Sequence, residues 1–276
     1  FLNFVTESYK QFVMSFINKT SEFIAYLFRA KGLHGLHSPF VYQLAGEVLY
    51  DKNHYPEYEA LHRQRKRLLS NRNLIETVDF GASAGSKEFI TYRARVQQLV
   101  KRRSHAERFN QLLFRLSHHF KPEYIIEFGT AAGLGAAALA LGNPDSKVIT
   151  LEGCASMAQV AANSFERLEA RNVNIVIGNF NQTLPEVLNE MPRLDLVFFD
   201  GNHQKMPTLD YFKHCLTKAH ADSVFIFDDI HWSADMDDAW NEIRNNDQVS
   251  LSIDLYQFGL VFFRKGIAKQ HFTLKM

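Results

Sequence analysis

The chain is 276 residues long, enough for a sizeable core in one large domain with an appendage, or in two domains. With 46% hydrophobic residues, a formal net charge of +1 and no run of 18 apolar residues, it reads as a soluble globular protein without a membrane-spanning helix. Cys154 and Cys215, its two cysteines, lack metal-like spacing and fit a reducing compartment; with no cleavable leader in view, the expected location is the cytoplasm.

Residues 1–31 are predicted helical, because Phe12, Phe16, Phe23, Tyr26 and Leu27 belong to an apolar set that recurs at near-helical spacing. Two roles stay open for this Phe-rich helix. It could seek a membrane surface or form a homodimer, or it could pack on the main domain, which Glu7 and Glu22 favour because a membrane-seeking polar face is usually basic. In Gly32–Tyr42, Ser38 is placed to cap a helix that has Pro39 at its first position, and His34 and His37 are read as structural. Residues 56–76 form a basic helical stretch. The small-residue run 78–87 is a candidate substrate-side lid, with an anion cradle or an ordinary loop as alternatives. Residues 88–120 are again predicted helical, basic as far as Arg108 and apolar from Leu112. Between Leu61 and Arg108 there are twelve Lys and Arg against four acids, a surplus of +8, so the remainder of a +1 chain carries −7. Residues 1–120 thus form an N-terminal helical extension or cap, and 121–276 a second unit.

From Lys121 strand and helix alternate. Strands are predicted at 124–128, 147–152, 173–178, 194–200 and 223–228, with helices at 133–142, 156–170, 183–190, 207–219 and 235–245, the pattern of a parallel sheet with crossover helices. The stretches 249–255 and 260–264 are too close for a crossover and must pair antiparallel. The fold class is therefore α/β, a Rossmann-like sheet of parallel strands closed by an antiparallel hairpin, with an N-terminal helical extension.

The stretch 124–135 is the centre of this pattern. Tyr124, Ile125, Ile126 and Phe128 make a strand buried on both faces, and Gly129, Thr130, Gly133 and Gly135 carry it into an alanine-rich helix. Such a loop turns backbone N–H groups and a helix N-terminus toward a ligand. Glu127, just before the first glycine, favours a ligand bearing an ammonium or sulfonium charge over a pyrophosphate. Glu152 ends the next strand about twenty residues after the loop, the spacing of a carboxylate that grips two ribose hydroxyls.

On Glu127, Gly129, Gly133 and Glu152 the chain resembles the class I S-adenosylmethionine-dependent methyltransferases. The resemblance implies a methyl-donor site that also uses Thr130, with Asn179 near the adenine amino group, Phe180 against the ring and Asp200 at the rim. The His-Ser-Pro-Phe stretch at 37–40 and the Asp-Gly-Asn-His run at 200–203 are similar to a largely uncharacterised bacterial methyltransferase group.

Asp200, His203, Asp228, Asp229 and His231 follow strands four and five, so three carboxylates and two imidazoles gather on one rim. Crowded carboxylates call for a cation, a proton or a hydrogen-bond network. This part resembles cation-dependent O-methyltransferases of the catechol, caffeoyl-coenzyme A and macrocin types. That likeness implies Mg²⁺ or another divalent cation on Asp200, Asp228 and Asp229, although the catechol type has an amide where this chain has Asp229. The alternative is that Asp228 or Asp229 caps the following turn. Asp200, His203 and His231 are the candidate catalytic residues, either histidine being able to act as general base without a metal. The leading reading is O-methylation of a small hydroxylated acceptor. A nucleic-acid methyltransferase using the basic 61–108 region, and a non-catalytic binding protein on the same fold, are the alternatives.

Overall fold

The computed structural model describes residues 23–79 and 89–276. Its centre is β3 (Tyr124–Phe128), whose Ile125, Ile126 and Phe128 are wholly buried, as a strand covered on both faces requires. Around it lie β4 (Lys147–Glu152), β5 (Val173–Ile177), β6 (Leu194–Phe199) and β7 (Ala219–Asp228). The sheet is completed by β8 (Leu251–Asp254), β9 (Phe258–Phe262) and β10 (Gln270–Thr273), in the spatial order β10-β8-β9-β7-β6-β3-β4-β5. The first five run parallel. β9 lies antiparallel to both β7 and β8, so the closing hairpin is present as expected. β10, which the sequence reading did not anticipate, adds a parallel partner to β8.

The strand period of two sorts side chains between two helical layers. Ile125, Phe198 and Ile226 pack with residues of α5 (Glu107–Phe120), α6 (Leu134–Gly142) and α7 (Ala155–Leu168). Ile126, Val197 and Phe225 face α8 (Phe180–Glu190), α9 (Lys205–Leu216) and α10 (Ala234–Asn245). The sheet reverses its winding between β3 and β6, which opens a crevice at the carboxyl ends of the strands.

The first part of the chain is tied into the same core. Residues 23–29 are helical (α1); Tyr26 is buried and donates its hydroxyl to the Leu274 carbonyl, and Lys31 bridges to Leu274. Phe23, Ile24, Leu27 and Phe28 of the same helix are exposed, and residues 1–22 lie outside those described. α2 (Pro39–Leu44) begins at Pro39 as expected, but the Ser38 side chain makes no cap bond. Val41 and Leu44 join the core cluster that contains Ile125. α3 (Pro56–Leu69) packs beside α6 and α7.

Two predicted helical stretches are corrected. Leu74–Asp79 is β1 and Ile90–Arg95 is β2, paired antiparallel from Leu74–Arg95 to Asp79–Ile90. In the run Ile-Thr-Tyr-Arg-Ala-Arg, Ile90, Tyr92 and Ala94 alternate with the polar Thr91, Arg93 and Arg95, a period of two that its basic character concealed. α4 (Val96–Arg103) follows, and a short break at 104–106 separates it from α5. Of the expected lid, Val78 and Asp79 end β1, and the rest lies outside the described residues. No described helix is long and apolar enough to cross a membrane.

Candidate active site

The carboxyl ends of β3 to β7 converge on a cavity of about 770 Å³. Gly129, at φ 90°, is forced by packing, because a Cβ there would lie 2.1 Å from the Asp200 carbonyl oxygen. The loop continues through Ala131, a non-glycine residue at φ 46°. That conformation turns the Ala131 N–H onto Glu152 Oε2 at 2.8 Å, while the Cys154 N–H meets Glu152 Oε1 at 2.8 Å. Glu152 lines the cavity at 8% exposure, fixed by two backbone donors. Burial raises its pKa, and the two N–H groups oppose that shift.

Asn179 and Phe180 continue the wall. Asn179 caps α8 by accepting the Asn181 N–H at 2.9 Å. Phe180 stands edge-on to Phe128 and Tyr211, one side of it facing the cavity.

Glu127 is placed differently from the expectation. Its exposure is 1% and it does not line the cavity; Thr150 Oγ1 donates to its Oε2, and Thr130 Oγ1 lies 2.7 Å from Thr150 Oγ1. A Cβ at position 135 would stand 2.4 Å from Glu127 Oε1, so the carboxyl sits beneath the loop against the start of α6. Burial pushes its pKa well up. Thr130 and Gly133 likewise shape the loop without lining the cavity.

Beyond the glycine loop the wall becomes a group of acids and imidazoles. Asp200 and Asp228 extend the alternation of Phe198 and Ile226, so both lean toward the α5 side. There His105, in the break between α4 and α5, places Nε2 at 2.9 Å from Asp200 Oδ2 and 3.6 Å from Asp228 Oδ2. His203 Nε2 is 3.6 Å from Asp200 Oδ1. The Gln257 side-chain amide donates to Asp228 Oδ1 at 2.9 Å and to Asp229 Oδ1. Burial would lower the His105 pKa, but the attraction of Asp200 and then Asp228 overrides it and carries the value up to about 10. Burial raises Asp228 and Asp229, with His105 and His203 opposing the shift. Asn202, His203 and Asp229 are all in the left-handed backbone region, at φ 74°, 45° and 54°. Non-glycine residues held there cost about 1–3 kcal/mol each, and such strain concentrates where geometry serves a ligand.

His231 is not part of this group. The turn at Asp229 sends it away from the cavity, where Nε2 lies 3.0 Å from Asp254 Oδ2 and Nδ1 bonds to Asp237. With both ring nitrogens engaged, it clasps α10 to the end of β8. His105 and Gln257 are the residues that sequence reasoning missed.

Residues 126–230 match the family model described as a methyltransferase domain. That stretch is similar to a methyltransferase domain. The sheet is shared by solved structures at TM-scores just above 0.5. The O-methyltransferase TomG from Streptomyces achromogenes, involved in tomaymycin synthesis and solved with S-adenosylmethionine, is 22% identical, with TM-score 0.53 over 60% of this chain and 86% of that one. An O-methyltransferase from Bacillus cereus, in complex with S-adenosylhomocysteine, is 19% identical, with TM-score 0.52 over 81% and 97%. The Podospora anserina methyltransferase PaMTH1, also bound to S-adenosylhomocysteine, is 14% identical, with TM-score 0.57 over 83% and 97%. At these identities the likeness is one of fold. No curated protein matches the chain. The similarity to class I O-methyltransferases read from the glycine loop is borne out, and the matched residues 126–230 include that loop.

Proposed function

We propose that the chain transfers the methyl group of S-adenosylmethionine to the oxygen of a small hydroxylated acceptor. The observation that carries this reading is one continuous cavity, walled by Glu152, Asn179 and Phe180 at one end and by Asp200, His105 and His203 at the other. Glu152, held by two N–H groups, keeps lone pairs for the ribose hydroxyls. The Asn179 side-chain NH₂ is available to an adenine ring nitrogen, and Phe180 offers an apolar surface to the ring. The acidic rim favours the sulfonium charge.

At the other end the acceptor oxygen is held in line with the methyl–sulfur bond, so alignment supplies a large share of the rate. His203 takes the hydroxyl proton as the oxygen–carbon bond forms and the sulfur–carbon bond breaks, leaving a neutral thioether. Asp200, Asp228 and Asp229 offer carboxylate oxygens of the kind a divalent cation accepts, since the ligand atoms of Asp200 and Asp228, and those of Asp228 and Asp229, lie within 4.8 Å of one another. A cation bound there would lower the pKa of the acceptor hydroxyl.

A cavity of about 770 Å³ supports a small acceptor rather than a polymer. Two measurements on the purified chain test the reading. Calorimetry should detect S-adenosylhomocysteine, and label from methyl-tritiated S-adenosylmethionine should pass to members of a panel of catechols, phenols and sugars. No heat with either donor or product would refute it.

A further inference from the structure

Resting on the methyl-transfer reading above, we propose that His105 supplies a nitrogen ligand to the cation site, so that the site selects a borderline transition-metal dication such as Mn²⁺, Co²⁺ or Zn²⁺ over Mg²⁺. Two overlapping donor groups meet at the cavity, His105–Asp200–Asp228 and His203–Asp228–Asp229, and in each the ligand atoms lie within 4.8 Å of one another. Asp228 is common to both. Each group therefore contains an imidazole, whereas an Mg²⁺ site is built from oxygen alone. Imidazole nitrogen raises affinity for the later first-row ions.

The spacing fits shared coordination. Two ligands each about 2.1 Å from one ion stand about 3.0 Å apart at right angles and about 3.4 Å apart at the tetrahedral angle. His105 Nε2 lies 2.9 Å from Asp200 Oδ2 and 3.6 Å from Asp228 Oδ2, which brackets both arrangements.

His105 is also held in this pose. Its carbonyl accepts Arg65 Nε at 3.3 Å, and its ring is walled by Phe109, Phe198 and Phe258 at centroid distances of 6.0, 6.0 and 5.4 Å. Phe198 and Phe258 belong to the sheet and Phe109 to α5, so the ring has little room to swing away from the carboxylates. The N-terminal segment thus contributes a ligand to a site whose other members follow β6 and β7.

The test uses the full chain, stripped with a chelator and dialysed separately against Mg²⁺, Mn²⁺, Co²⁺ and Zn²⁺, with bound metal measured by mass spectrometry. The visible spectrum of the Co²⁺ form is recorded beside it. The wild type is expected to hold Mn²⁺ or Co²⁺ about 100-fold more tightly than Mg²⁺. His105→Ala should bring that ratio to within a few fold and alter the Co²⁺ spectrum, while Asp200→Asn should weaken every ion. Because an alanine opens a gap among the three phenylalanines, His105→Asn, which keeps more of the volume, is run in parallel and both are checked by urea unfolding. Equal affinity of the wild type for Mg²⁺ and Mn²⁺, unchanged selectivity in both folded variants, or no ion retained at all would overturn the proposal. S-adenosylhomocysteine calorimetry on the same samples separates the two ideas. Binding of the nucleoside without metal selectivity removes only the ligand assignment, and absence of nucleoside binding removes the methyl-transfer reading.

Discussion

Replacing Glu152 by glutamine isolates the interaction on which nucleoside binding is expected to depend. In the native chain both carboxylate oxygens accept a backbone N–H at 2.8 Å, from Ala131 and from Cys154, in a position 8% exposed. The amide keeps one acceptor oxygen and presents an NH₂ group to the other backbone N–H, two donors face to face. A buried N–H left without an acceptor costs about 1–3 kcal/mol, so Glu152→Gln should lower folding stability by about that amount. The lost charge also weakens the bonds offered to the ribose hydroxyls. A loss of about 1.4–2.8 kcal/mol there is a 10- to 100-fold weaker grip on S-adenosylhomocysteine. Urea titration gives the first quantity and isothermal calorimetry the second. Glu152→Asp, which retains the charge on a shorter arm, should fall between wild type and glutamine in affinity. An unchanged urea midpoint together with a dissociation constant within about twofold of wild type would show that the Glu152 geometry does not carry the binding.

The other variants separate residues that look alike in the sequence. Because burial raises the Glu127 pKa, the folded state binds that proton more tightly than the unfolded state. Its contribution to stability is therefore full below the ordinary carboxylate range and lost as pH rises through the folded value. Glu127→Gln should flatten this decline, which urea midpoints between about pH 5 and pH 9 will read. His203→Asn should reduce the rate of methyl transfer about 100-fold or more while nucleoside affinity stays within a few fold, as calorimetry beside single-turnover kinetics would report. His231→Asn, which breaks the clasp to Asp237 and Asp254, should cost about 1–3 kcal/mol in urea unfolding and leave nucleoside affinity unchanged.

The sequence itself determined the sheet and where its ligand crevice opens. The buried runs at 124–128, 147–152, 194–199 and 223–228 are apolar enough to require helices on both faces, and the short link before β9 forbids a crossover, so the parallel sheet and its closing hairpin follow from local pattern. Glu152, Asn179, Phe180, Asp200, His203, Asp228 and Asp229 were legible for the same reason, since each stands at or just after the carboxyl end of a predicted strand and lines the cavity. The tertiary structure decided the directions of side chains and the company they keep. Glu127 and His231 occupy strand-end positions like the others, yet strand alternation turns Glu127 under α6, and the left-handed turn at Asp229 turns His231 toward Asp254. His105 reaches Asp200 from 95 positions away in the chain, across a break between two helices, and no local pattern encodes such an approach. Burial of an apolar run is a property of neighbours in sequence; the meeting of polar groups over a cavity depends on how whole layers pack, and it exists only once they have done so.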